Sequence, residues 1–267
     1  MSGEGRFARA SVHVFGSSVL AFLLLPILAV VPASFNYGSF IRLPPETWST
    51  RWYLRFFADR EWLTSLATSI EVATIAALVS VALGTAAALG LARMTGRLRA
   101  ILLGLILGPM IVPVIVLAVS LYYIGRYWGL TGTLSGLALA HVLICMPFVV
   151  LNVSVSLRAL DPSWLRAAEG LGASPARVFL TVTLPTILPG LLGGAVFALI
   201  SSFDEVVLSI FLAGVQTKTL PVKMWEVVRL EFTPILSVAS TLLILVTVVL
   251  FVLFRLAAPR AGASASP

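Results

Sequence analysis

The sequence predicts an all-α membrane protein with six transmembrane helices and a short capped helix between spans four and five. Three observations lead there. Of 267 residues, 59% are hydrophobic and only 11% are charged. Mean hydropathy is +1.05. Six apolar stretches are each long enough to cross a bilayer. An ordinary soluble domain is about 25% charged, so this chain has too little polar surface to coat a soluble globule of its size. The net charge of +7 sits in short arginine clusters beside apolar runs. That pattern belongs to membrane orientation rather than to a phosphate-binding face, so membrane lipid is an expected partner and nucleic acid is not.

About 20 apolar residues at 1.5 Å rise cross a hydrocarbon core of ~30 Å. Residues 1–11 form a basic N-terminus with Arg6 and Arg9. Span one covers about Val12–Ala33; its VVPAS end would suit cleavage, but its length and the spans that follow favour an uncleaved first span. An aromatic-rich loop follows, about Ser34–Trp62, in which WSTRWYLRFFADREW reads as an amphipathic interfacial helix, either anchoring the chain or docking an external partner. Span two is about Leu63–Ala92 and span three about Ala100–Ile124, the latter kinked by Pro109 and Pro113. Span four is about Thr133–Leu157; His141 in it reads as a packed or hydrogen-bonded residue, and Cys145 as a small packing residue. A polar loop, 158–178, precedes span five at about Thr186–Ala213. Span six is about Ile235–Leu256, closing a single transmembrane domain over 12–257. The tail 258–267 ends in AGASASP, small residues expected to be disordered. No internal repeat is evident.

Six spans put both termini on one side. That side receives ten of the 18 cations, including the tight Arg93/Arg97/Arg99 cluster, while four of the other eight lie in the long aromatic loop. Short loops and span ends carry the weight in the positive-inside rule, so the termini and the loop 158–178 are expected to be cytoplasmic.

Within that loop, Asp161 precedes Pro162, an N-cap residue followed by the residue best suited to the first helical position. Ser163–Glu169 can form two turns, Gly170 and Gly172 are stop signals, and Ser174–Pro175 repeats the cap. An isolated two-turn helix is marginal in water and needs a surface to pack on. Either the membrane, with Leu160, Trp164 and Leu171 dipping inward, or a separate cytoplasmic protein would serve.

The stretch AAEGLGASPARVFLTVTLPTILPG resembles the cytoplasmic signature loop of the integral-membrane permeases of bacterial ABC importers. Ala167, Ala168, Gly172, Val182, Leu184 and Pro185 match its pattern; Arg166 stands where the family has glutamate, and the nearest acid is Glu169. The segment from Ile200 to Leu245 resembles the C-terminal half of spermidine/putrescine-type permeases, with an acidic pair before Val-Val, then Thr-Leu-Pro, then a proline before the last span. The resemblance implies the ABC type I importer permease fold, with Asp161, Trp164, Leu165, Arg166, Ala167, Ala168, Glu169 and Gly172 forming a coupling helix seated in an ATPase cleft. It also implies the partners: a cytoplasmic ABC ATPase dimer, a second permease subunit in a heterodimer, and an external solute-binding protein, all at a bacterial inner membrane.

Asp204 and Glu205 fall inside the apolar run of span five. An acid at the bilayer centre costs roughly 2.5–3.5 kcal/mol, so two adjacent acids need a reason. On one continuous helix Ser202, Glu205 and Ser209 would share a polar stripe, with Asp204 beside it. The stripe would line a translocation path suited to a cation such as a polyamine, or cap broken backbone, or pair with a neighbouring cation. No phosphate-binding Walker loop, zinc motif or catalytic triad is present in the sequence, and no cofactor is expected. The chain therefore reads as a transport subunit rather than an enzyme, with ATP hydrolysed elsewhere. The alternative is an ion-gradient-driven secondary transporter using Asp204 and Glu205, for which six spans without a repeat are less natural.

Overall fold

A computed structural model describes residues 3–257, with side chains over 12–256. The tail 258–267 lies outside the described residues, as do the side chains of Arg6 and Arg9. The order is α1 (Gly3–Ala33), α2 (Arg51–Ala58), α3 (Arg60–Ala92), α4 (Gly96–Ile111), α5 (Val114–Tyr127), α6 (Leu134–Arg158), α7 (Pro162–Gly170), α8 (Pro175–Val178), α9 (Leu184–Phe203), α10 (Val207–Leu212), α11 (Leu220–Leu230) and α12 (Pro234–Ala257). A π-helical turn, Phe179–Thr183, joins α8 to α9, and a short 3₁₀ turn, Val215–Thr217, follows α10. Among the described residues, five helical stretches are long and apolar enough to cross a membrane, and α4 with α5 makes a sixth if the bent pair is one span.

Two of the expected spans are not single helices. Span three bends by 104° between α4 and α5. Pro113 forces the residue before it out of the helical region, and Val112 is accordingly extended at φ −71°, ψ 132°. Span five, expected to run unbroken over 186–213, stops at Phe203 and restarts at Val207. No proline causes this break; it sits at Asp204 and Glu205. At its other end, the π turn occupies the turn just before Pro185, which has no N–H to return to it.

The described chain divides into two compact units: one from residues up to Leu63 with Glu226–Leu245, the other from Thr64–Trp225 and from Val246 onward. In the first, the aromatic loop folds on itself. Trp52 and Phe56 of α2 are buried, Tyr53 shares a 2.7 Å hydrogen bond with Ser34, and Trp52 Nε1 donates to the Gly38 carbonyl at 3.0 Å. Arg51 and Arg55 lie over the Trp52 ring. Trp48, Leu54 and Phe57 remain exposed, so only part of the aromatic set faces outward.

In the second unit, α6 and α9 pack along their length with α3 against them. Val149 of α6 is fully buried. A Cβ added at Gly194 of α9 would lie 2.9 Å from Val149 Cα, and one at Gly84 of α3 would lie 2.9 Å from its Cβ. Gly190 and Gly194 form the G-x-x-x-G spacing that lets membrane helices approach backbone to backbone. Cys145 fills the same core, its thiol 3.3 Å from the Ala198 carbonyl. A second cluster joins Val72, Ala118, Leu137, Ala140, Leu208 and Leu212, fixing α10 against α5 and α6.

Candidate functional site

Local chemistry sets α7. Asp161 occupies the N-cap with extended backbone, and its Oδ1 accepts from the Ser163 backbone N–H at 2.7 Å. Pro162 takes the first helical position, where an N–H would have no partner. At the other end Gly172 has φ +81°. Its N–H donates to the Glu169 carbonyl at 2.9 Å, and the Ala173 N–H to the Ala168 carbonyl at 3.1 Å. These two bonds make a Schellman cap, which a left-handed glycine permits. Gly170 is still helical, so Gly172 alone is the stop. Ser174 then caps α8 by accepting from the Arg177 N–H at 3.4 Å.

No residue of α7 is buried. Leu165 and Ala168 are half-buried, whereas Arg166, Ala167, Glu169 and Gly172 are exposed. Trp164 is 53% exposed and Leu171 89%. Spaced by three and four residues, Trp164, Ala167 or Ala168, and Leu171 share one face. The Ser163 backbone hydrogen bond holds the Asp161 carboxyl below the usual carboxylate range, with smaller pulls from the Ser163 hydroxyl and the Arg166 guanidinium. The helix is thus capped at both ends and carries an apolar face that this chain only partly covers among the described residues.

The break in span five gathers the other candidates, though not as a stripe. Glu205 Oε1 accepts from the backbone N–H groups of Val207 at 2.7 Å and Leu208 at 3.0 Å. The carboxylate therefore starts α10 by satisfying amides a membrane helix terminus would leave bare. Ser202 and Ser209 are buried within this chain. Both turn to His141: Nδ1 lies 2.7 Å from Ser202 Oγ and Nε2 lies 3.1 Å from Ser209 Oγ. The Ser209 hydroxyl is also 3.1 Å from the Glu205 carbonyl. His141, itself fully buried, ties α6 to both sides of the break. Asp204 caps the end of α9, is exposed, and its carboxylate has no side-chain or backbone partner among the described residues.

Because α9 ends at Phe203 and α10 starts at Val207, the four residues Ser202, Asp204, Glu205 and Ser209 do not lie on one continuous helix. Two of them are consumed by a buried histidine, one caps the backbone, and Asp204 alone presents a bare carboxylate. Sequence reading missed His141 as the common partner because Ser202 and Ser209 lie 61 and 68 residues away in the chain. It also passed over the glycine spacing at Gly190 and Gly194, which was visible in the sequence.

Beyond the break the chain is held by close backbone approach. The Gly132 N–H donates to the Leu212 carbonyl at 2.8 Å, and the Thr217 hydroxyl to the Gly132 carbonyl at 3.2 Å. Gly132, at φ +81°, and Gly214 meet so closely that a Cβ on Gly214 would sit 2.8 Å from the Gly132 oxygen.

Comparison with known proteins agrees with this architecture. The spermidine/putrescine transport system permease protein PotC of Haemophilus influenzae is 32% identical over 91% of this chain and 95% of its own length. The putrescine transport system permease protein PotI of Escherichia coli is 33% identical over 84% of this chain and 82% of its own. Among solved structures, a chain of a bacterial alginate ABC transporter, in complex with an alginate pentasaccharide-bound periplasmic protein, matches with a TM-score of 0.74. It covers 96% of this chain and 95% of its own at 12% identity, a likeness of fold. A second alginate-importing ABC transporter matches with a TM-score of 0.72 at 16% identity, covering 96% and 98%. Residues 80–262 match the family model of the binding-protein-dependent transport system inner membrane component, and the chain belongs to that family.

Proposed function

We propose that this chain is one of two permease subunits of an ATP-driven ABC importer for a small cationic solute, of which a polyamine fits best. The observation that carries the reading is α7: a helix capped at both ends, with no buried residue and an exposed Trp164–Leu171 face. An exposed apolar face on a rigid, short helix calls for a partner. The cytoplasmic ATPase dimer is that partner, and the helix transmits its motion through α8 and the π turn into α9. The bilayer is the bacterial inner membrane, with both termini and α7 on the cytoplasmic side, as the Arg93/Arg97/Arg99 cluster supports. An external binding protein delivers solute from the other side.

The cationic preference rests on Asp204, whose unpartnered carboxylate stands at the break in span five. Glu205 contributes by holding α10 in place and by its remaining oxygen. The relatives named for spermidine and putrescine support the same solute class.

The test is reconstitution of the chain, with whatever subunits co-purify, into proteoliposomes supplied with binding protein. ATP-dependent uptake of spermidine or putrescine is expected, and Asp204→Asn should lower it roughly fivefold while insertion stays normal. Uptake that proceeds without ATP and without a co-purified ATPase overturns the importer reading. Full cation uptake by the inserted Asp204→Asn chain overturns the role of the carboxylate.

A further inference from the structure

We propose that the pocket between α3, α4 and α6 binds the phosphate of an anionic phospholipid through Arg99 and Arg158. The pocket encloses about 270 Å³ at the ends of these helices. Arg99, Arg158 and Ser154 supply its polar side, while Leu91, Leu103 and Leu151 supply an apolar wall. That volume has room for a headgroup phosphate.

The arginines are placed for an anion that this chain does not provide. Arg99 Nε donates to the Leu91 carbonyl at 3.2 Å, near the C-terminal end of α3. This bond fixes the guanidinium plane and leaves its two terminal nitrogens without a protein partner among the described residues. Arg158, in the last turn of α6, makes no ion pair or hydrogen bond among the described residues. Both side chains are exposed, and two cations lining one pocket give it a positive potential that favours an anion. A phosphate accepts from guanidinium groups in the bidentate geometry that arginine presents.

A lipid, rather than a soluble anion, fits the rest of the site. Arg158 ends the membrane-length helix α6, and Arg99 lies in the first turn of α4 beside the C-terminal end of membrane-length α3, at the level where headgroups lie. Leu91, Leu103 and Leu151 give the pocket an apolar wall against which the start of an acyl chain would pack. Basic pockets between transmembrane helices at such depth take anionic headgroups. Arg158 is also three residues before the Asp161 cap of α7, so an occupied pocket would steady the root of that helix.

The full-length chain, purified with its co-purifying subunits in neutral detergent and stripped of lipid, is titrated with phosphatidylglycerol and followed by native mass spectrometry. Phosphatidylcholine and inorganic phosphate serve as parallel arms. One tightly held phosphatidylglycerol is expected, weakened about thirtyfold in Arg99→Gln/Arg158→Gln and little changed in Arg126→Gln. The Arg99→Lys/Arg158→Lys chain should recover most of the binding. The wild-type thermal midpoint gives a readout that needs no variant: phosphatidylglycerol raises it, and the other two probes do not. Equal retention by the glutamine pair overturns the proposal. So does equal binding of phosphatidylcholine, which would mean an apolar groove only, or of inorganic phosphate, which would mean a soluble-anion site. Phosphatidylglycerol binding that vanishes when the ATPase is present overturns it in favour of an acidic protein surface.

Discussion

Asp161 begins α7 with one carboxylate oxygen, and that makes the helix sensitive to pH. Its folded pKa is depressed, because the Ser163 amide binds only the charged form well. The cap therefore contributes fully above the unfolded carboxylate range and is lost as pH falls through the depressed value. Hydrogen-exchange protection of the Ser163 amide should be flat above the ordinary aspartate range and fall below it. In Asp161→Asn, which caps without titrating, it should stay flat throughout. Protection that tracks pH equally in both chains would contradict the assignment. At the break in span five, carboxylates that are neighbours in sequence divide their work: Glu205 satisfies backbone amides and Asp204 stays bare. One-residue spacing on a helix terminus puts them in different surroundings, which no stripe drawn on a continuous helix could anticipate.

At the scale of elements, the contact of α6 with α9 depends on the absence of side chains at Gly190 and Gly194. Gly194→Val would press a branched Cβ onto the Val149 backbone, where the nearest atom is 2.9 Å away. The expected cost is roughly 1–3 kcal/mol, read as a lowered thermal midpoint in detergent. Gly16→Ala, where nothing lies within 4 Å, should leave the midpoint unchanged. A Gly194→Val chain as stable as wild type would mean that the two helices do not pack this way.

The same elements show what could be read from sequence. The ends of α7 were legible because caps are local: Asp-Pro, then a glycine that must adopt φ +81°, are decided within a few residues. Of the two prolines from which a kink of span three was expected, Pro113 makes it and Pro109 stays inside α4; the 104° size depends on what α4 and α5 each pack against. The break of span five was hidden because apolar residues continue on both sides of Asp204 and Glu205, so hydropathy alone joins the two helices. His141 was read correctly as a packed, hydrogen-bonded residue, yet its partners could come only from the fold.

At the scale of the whole molecule, we propose that α7 couples ATP hydrolysis to solute movement. The chain caps that helix at both ends and covers little of it, which suits the proposed docking on an ATPase. Arg166, in place of the glutamate of the signature loop, is exposed and lies within electrostatic reach of Asp161. In the proposed complex its charge should therefore face an acidic or neutral part of the ATPase cleft. The most direct measurement is the number of solute molecules imported per ATP hydrolysed, in proteoliposomes, for the wild-type complex and for Gly172→Arg. The substitution puts a side chain at φ +81° and removes the freedom that the Schellman cap needs. Hydrolysis should persist while solute imported per ATP falls by about tenfold or more. An unchanged ratio in a normally assembled Gly172→Arg complex would contradict the account.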